Sequence, residues 1–325
     1  MICRDENRGL GIQSLEFYQH FKPHKTLVLE FANERNHPER YRDARFTLNS
    51  IKQPDIDWLL DGVDMILGFE TFYNNDLMWQ AKKRNIKTVL QVNWEWWEGQ
   101  RPDLIIAPSL WHWSNLPEPK EYLPVPVNRE KLPFKLREKA KTFLFNAGNS
   151  LGGYDRNGTD VFMDAIKFIK SNIKIIIKSQ IPLQKKVDDK RIEYIEKDER
   201  DYWKGWPEAD ILVYPRRYGG LSLILNEAMS LGMVPLMTNM APQDAFLPEE
   251  LLIKIESSSY KRVKQIVEVA EIKPEEVAKK IDEIAGKDIR GFSNLVSNRI
   301  TKSWSWDRLK DKYLKIFKKV ENNKK

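Results

Sequence analysis

The chain has 325 residues, of which 41% are hydrophobic and 31% charged, with a net charge of +7. That balance suits a soluble globular protein and disfavours disorder, and the length is too great for most single cores. No apolar run approaches the roughly 18 residues that span a bilayer, and a single cysteine, Cys3, excludes an internal disulfide framework.

In chain order, "KTLVLEF" (25–31), "VDMILGFE" (63–70), "IKTVLQVN" (86–93) and "PDLIIAPS" (102–109) read as buried strands. Between the second and third, "YNNDLMWQAKKRN" places Leu77, Met78 and Ala81 at helical spacing. Strands linked by helices predict a parallel sheet covered on both faces. "DID" at 55–57 could be read as a metal-binding D-x-D pair. It follows Pro54, so a helix cap by Asp55 is the better reading. His20, His24, His37 and His112 show no ligand spacing, and no metal site is expected.

"EYLPVPVNREKLPFKLREK" (121–139) carries three prolines and reads as a linker. The pattern then restarts. "KTFLFNAG", "IKIIIKS", "RIEYIEK", "ADILVYP" and "MVPLMTN" are strands. "GTDVFMDAIKFIK" and "LSLILNEAMSLG" are helices, the second ended by Gly232. The fold class expected is therefore α/β, with two doubly wound, Rossmann-like domains in tandem. The last stretch, "SWDRLKDKYLKIFKKV", is an amphipathic helix with Leu309, Tyr313, Ile316, Phe317 and Val320 on one face, which needs a packing partner.

"YPRRYGGLSLILNEAMSLGMVPLMTNM" (214–240) carries the most chemistry. Ligands of open α/β sheets bind beyond the carboxyl ends of the strands. There, Arg216 and Arg217 precede Gly219 and Gly220, and a helix start follows. Glycines let backbone amides approach an anion, and the helix N-terminus adds N–H groups and partial positive charge. Ser222 adds a hydroxyl. Together these suit a diphosphate. Glu227, a turn and a half into the helix, either favours the helix dipole or accepts hydrogen bonds from a ribose diol.

The stretch resembles the donor-site signature of retaining glycosyltransferases of the GT-B fold, especially glycosyltransferase family 4, whose pattern is roughly "EGFGLxxxEAMAxGxPVxxT". Gly220, Glu227, Ala228, Met229, Gly232, Pro235 and Thr238 match as they stand. The resemblance maps the ribose-binding glutamate to Glu227. It maps the glutamate that contacts the transferred sugar to Gly219, a departure, and replaces "FG" by Leu221 and Ser222. "FLFNAGNSLGGYDRNGTDVFMDAI" is similar to the family's "GR…KGxDxxxxA" segment, with Asn149 for the arginine, Asn157 for the lysine and Arg156 beside it. Lys178 matches a phosphate-facing strand-end lysine. "SWSWDRLKDKYLKIF" resembles the family's C-terminal segment, whose helix crosses back onto the N-terminal domain.

In the first half, "GLGIQSLEFYQHF" resembles a glycine loop and helix after the short strand "MIC". Gly9 and Gly11 would lie near acceptor and diphosphate. Where many members carry a histidine, "TVLQVNWEWW" offers Asn93, Trp94 and Glu95, and Glu70 ends a neighbouring strand. Tryptophans at 94, 96, 97, 111 and 113 read either as an acceptor platform or as core.

The resemblance thus implies two Rossmann-like domains facing each other across a cleft: residues 1–132 on the acceptor side, with helix 304–325 packed back on them, and residues 133–303 as the donor domain. It implies sugar transfer from a nucleotide diphosphate sugar with retention, no required cofactor and no metal. Candidate catalytic residues are Arg156, Lys178 and Glu95. Candidate donor residues are Asn149, Arg217, Tyr218, Gly219, Gly220, Leu221, Ser222 and Glu227. Gly9, Gly11, Glu70, Asn93 and Trp94 are candidates on the acceptor side. A UDP-sugar is favoured over a GDP-sugar, and the acceptor is a glycan, protein, lipid or modified nucleic acid.

Two alternatives share the fold: an inactive nucleotide-sugar or glycan-binding relative, motivated by Gly219 and Asn149, and a nucleotide-sugar epimerase. The net positive charge alone would suit nucleotide, nucleic acid or anionic lipid, but no nucleic-acid-binding motif is present. Much of the excess lies in the lysine-rich C-terminus and reads as a solvated face, which leaves peripheral membrane contact through a basic surface open. The N-terminal "MICRDENRGL" lacks an apolar signal core, and a cytoplasmic location is expected.

Overall fold

A computed structural model describes all residues except 33–35, 150–154, 221 and 323–325. The chain divides into two compact units, one of residues 1–126 together with the chain from Asp307 on, the other of residues 127–306.

The first unit begins with β1 (Ile2–Arg4), α1 (Gly9–Phe21), β2 (Leu27–Glu30) and β3 (Arg45–Leu48). It continues with α2 (Gln53–Leu60), β4 (Met65–Phe69), α3 (Asn75–Lys83), β5 (Lys87–Gln91), β6 (Leu104–Ala107) and β7 (Lys120–Tyr122). All strand pairs are parallel: β1–β2–β3 form one sheet and β4–β5–β6–β7 another, with β1 beside β4. The switch of winding direction therefore falls between β1 and β4, where open α/β sheets gather ligands. Ile66, Leu90 and Ile105 are buried because helices cover both sheet faces.

Asp55 accepts a hydrogen bond from the backbone N–H of Lys52 (3.1 Å) and pairs with Arg45 (2.9 Å), so it closes the start of α2. The proline-rich segment is not wholly a linker, because Lys120–Tyr122 pair with β6; no helix or strand follows until after Lys139. Prolines from Pro124 onward withhold the N–H groups a longer strand would need.

The second unit contains β8 (Thr142–Gly148), α4 (Thr159–Ala165), β9 (Lys174–Ser179), β10 (Ile192–Glu196), β11 (Ile211–Tyr214), α5 (Leu223–Ser230) and β12 (Val234–Thr238). Then come β13 (Leu252–Ile253), the antiparallel pair β14 (Ser257–Arg262) and β15 (Ile266–Glu271), α6 (Pro274–Ile284) and α7 (Arg290–Arg299). The main sheet is parallel, in the order β10–β9–β8–β11–β12–β13, with its switch point between β8 and β11. Phe145 and Phe162 stack at 4.4 Å in the core beneath α4.

The last helix, α8 (Trp306–Asn322), brings the amphipathic C-terminal face to the first unit. The Tyr313 ring meets Phe17 edge-on at 5.0 Å, and Phe317 lies 5.5 Å from Phe21. The buried Tyr313 hydroxyl accepts from Gln91 Nε2 (3.0 Å) and donates to the Pro124 carbonyl (3.0 Å). No helix among the described residues is long and apolar enough to cross a membrane. The chain is thus an α/β protein with parallel sheets, the class its sequence predicts.

Candidate donor site

The loops that follow β8 and β11 lock together at the switch point of the second unit. Asn157 donates to the Ala147 carbonyl (3.1 Å) and accepts from the Tyr214 hydroxyl (2.8 Å). Gly158 has φ +73°, and a Cβ there would run into the backbone carbonyl of Pro215, so only glycine fits this contact. Arg217 N–H donates to the Arg156 carbonyl (2.9 Å). Asn149 directly follows β8, on the same edge. These ties bring Arg156 from one loop to Tyr218 and Gly219 of the other.

Gly219 lies between two guanidinium groups. Its φ is +120°, and a Cβ at this position would stand 2.7 Å from Arg156 Nη2 and closer still to Arg216 Nη2. Arg216 is buried, and its Nε donates to the Tyr218 carbonyl (2.9 Å). The Arg156 guanidinium also lies over the Tyr218 ring, 5.6 Å from its centroid. Gly220 and Ser222 are buried beside them, and Ser222 is the N-cap of α5 without using its hydroxyl as a cap. The first amides of α5 are therefore not capped by that side chain and lie next to a cluster of positive charge. Leu221 lies outside the described residues.

Of the two adjacent arginines, Arg216 and not Arg217 turns onto Gly219. The Arg217 guanidinium grips both carboxylate oxygens of Glu271 (2.8 and 2.7 Å) and the Ala270 carbonyl (3.1 Å). The sequence lists Arg217, and not Arg216, among the candidate donor residues. Side-chain direction in a loop follows its local backbone, which no periodicity reveals.

Lys178 is the penultimate residue of β9, and its ammonium donates to the carbonyl of Gly205. Burial holds its pKa below the ordinary lysine value, against the opposing pull of Glu227, then Glu199 and Asp198. Lys178 and Glu227 are thus electrostatic partners reached from a strand end and a helix. Glu227 is buried on α5, with its neighbour Asn226. Both side-chain polar atoms of Asn226 are buried without a hydrogen-bond partner.

The acceptor-side candidates belong to the first unit. Glu70 and Asn93, after β4 and β5, are joined by a hydrogen bond of 2.8 Å. Glu95 is buried in a short helical turn, Trp94–Trp96. Gly9 and Gly11 lie within the first turn of α1 and not in a loop. The space beside Gly11 is filled by Glu6, whose Cγ would stand 2.7 Å from an added Cβ. Trp94 stacks on His112 at 4.8 Å, Trp97 and Trp111 are buried, and Trp113 carries Lys120 over its ring, so the tryptophans are largely spent on packing. Trp96 is 37% exposed, which leaves its ring a free face.

Sequence reasoning missed Asp5, Glu6 and Asn7, all buried just beyond β1 at the switch point of the first unit. Asp5 accepts from the backbone N–H of His37 at 2.5 Å, and burial raises its carboxyl pKa to about 6. The run "RDENR" that contains them looks like an exposed charged terminus. Only the position of β1 beside β4 reveals otherwise.

The fold is that of GT-B type glycosyltransferases. The Anabaena protein Alr3699/HepE, solved in complex with UDP and glucose, superposes with a TM-score of 0.68 over 98% of this chain and 99% of that one, at 9% identity. A glycosyltransferase from Rickettsia africae gives 0.66 at 12% identity, over 99% of this chain and 98% of its own. The lipopolysaccharide outer core galactosyltransferase WaaB gives 0.55 at 13% identity, over 98% and 99%. No protein-family model and no curated protein matches the sequence.

Proposed function

We propose that this protein is a glycosyltransferase that moves a sugar from a nucleoside diphosphate sugar, a UDP-sugar, to an acceptor, with retention of configuration. The observation that carries the reading is the convergence of Arg156 and Arg216 on Gly219, next to the N-terminus of α5 and one and a half turns before the buried Glu227. Support also comes from the likeness to Anabaena Alr3699/HepE, solved with UDP-glucose.

In this reading the diphosphate lies along Gly219, Gly220 and Ser222. Arg156 and Lys178 neutralise the charge that develops as the glycosidic bond breaks. Glu227 accepts hydrogen bonds from the ribose diol. The acceptor hydroxyl attacks the face that the diphosphate leaves, and the leaving phosphate oxygen takes its proton. Positive side chains supply the charge a metal ion would bring, so activity is expected to persist in EDTA. Asn149, Arg217 and Tyr218 shape the loop, and Glu70, Asn93, Glu95 and Trp94 serve the acceptor side.

Calorimetric titration of UDP, UDP-glucose and 2′-deoxy-UDP tests the donor site. Wild type should prefer UDP to its 2′-deoxy form, and Glu227→Gln should lose that preference along with about tenfold in affinity. Equal binding of both nucleotides by wild type and variant alike would remove Glu227 from the site. The anomer of the transferred or released sugar, read by NMR before it equilibrates, decides retention.

A further inference from the structure

The hairpin β14–β15 lies outside the parallel sheet, yet it is fastened to the donor loop. Ala270 N–H donates to the Arg217 carbonyl (2.8 Å), and the Arg217 guanidinium returns to Ala270 and Glu271. The fastening fixes the register of the hairpin against the loop, and β14 then carries Lys261 to Tyr218. The Lys261 ammonium lies over the Tyr218 ring at 5.7 Å from its centroid, as the Arg156 guanidinium does at 5.6 Å. Tyr218 is buried and adjoins Gly219, where Arg156 meets Arg216. Three cations from three separate segments therefore surround two residues of the donor loop.

We propose that Lys261 is a ligand of the donor's diphosphate, brought to the site by the hairpin as its third cation. The assignment rests on the reading of this loop as the donor site. The geometry argues for it: Lys261 and Arg156 meet at one ring, beside the glycine on which Arg156 and Arg216 converge. Burial and the neighbouring Arg217 both disfavour the charged form of Lys261. An arriving anion relieves that cost, so binding and charge on Lys261 reinforce each other. Two cations beside one aromatic ring repel each other, and an anion bound next to both would offset that repulsion.

The test compares wild type, Lys261→Met and Lys261→Arg as full chains, titrated with UDP, UMP and uridine. Methionine keeps an unbranched apolar stem against Tyr218, so the melting temperature should hold. The expected result is a loss of about tenfold or more in UDP affinity for Lys261→Met, a smaller loss for UMP and none for uridine, with Lys261→Arg close to wild type. Undiminished UDP affinity in Lys261→Met overturns the assignment while leaving the donor site standing. Equal losses for all three ligands also overturn it, because a merely structural role for the hairpin would act on base and phosphate alike. A wild type that binds none of the three removes the donor site itself, and the assignment with it.

Discussion

Arg217 and Glu271 form a two-pronged ion pair, with Arg217 Nη2 at 2.8 and 2.7 Å from the two carboxylate oxygens. Their side chains are 23% and 43% exposed, so water screens much of the attraction. Glu271→Ala should therefore cost no more than about 1 kcal/mol in global stability, as measured by urea unfolding. Its effect should be local. Amide exchange should accelerate at Ala270 and at Arg217, the backbone groups that the pair holds in place. A large global loss with unchanged local exchange would contradict this account.

The same pair shows where the sequence ceases to be readable. Strands such as Thr142–Gly148 and Lys174–Ser179 announce themselves as continuous apolar runs, because both faces of a parallel sheet are buried. The helix Leu223–Ser230 is marked by Gly232, whose φ of +77° ends it. Gly219 and Gly220 could be placed between a strand and a helix, and Glu227 on that helix, for the same reason. The hairpin β14–β15 was not. Its first strand, "SSSYKR", is exposed along most of its length and shows no apolar alternation, and its partner contacts lie more than fifty residues back in the chain. Nothing in the sequence marks Lys261 or the buried Asp5, because each is placed by a long-range contact. Which of Arg216 and Arg217 faces Gly219 depends on loop geometry, which the sequence does not show.

Gly219→Ala should impair the site twice. The backbone at φ +120° is strained for any L-residue with a side chain, at a cost of about 1–3 kcal/mol. The new methyl would also displace the guanidinium groups of Arg156 and Arg216. The expected outcome is a lower melting temperature together with weaker UDP binding. Gly62→Ala is the control. Its φ is +64°, but no atom lies within 4 Å of the added carbon, so it should lose stability and leave UDP binding unchanged.

Tyr313→Phe should destabilise the protein without touching the donor site. The hydroxyl is buried and joins Gln91 of β5 to the Pro124 carbonyl. Its removal leaves a buried amide donor and a carbonyl each short of a partner, while the aromatic contact with Phe17 survives. The loss should be about 1–3 kcal/mol by denaturant unfolding. UDP affinity should stay at the wild-type value.

Asp5 should leave a mark on the pH dependence of stability. Burial raises its carboxyl pKa from the ordinary 3.8 to about 6, against the smaller opposing effects of the His37 N–H and Arg40 and with minor help from Glu30 and Glu39. The folded state thus holds the proton more tightly than the unfolded state does. Asp5 contributes this stability in full below about pH 4 and loses it as the pH rises through about 6. Asparagine is neutral throughout and can still accept from the His37 N–H. The melting temperature of wild type minus that of Asp5→Asn should therefore fall between about pH 4 and 6 and stay level above 7, where both states have released the proton. Taking the difference cancels the carboxylates the two proteins share. A difference that stays constant across this window would mean that the folded protein carries Asp5 at its ordinary pKa, and that water reaches the carboxyl group beyond β1.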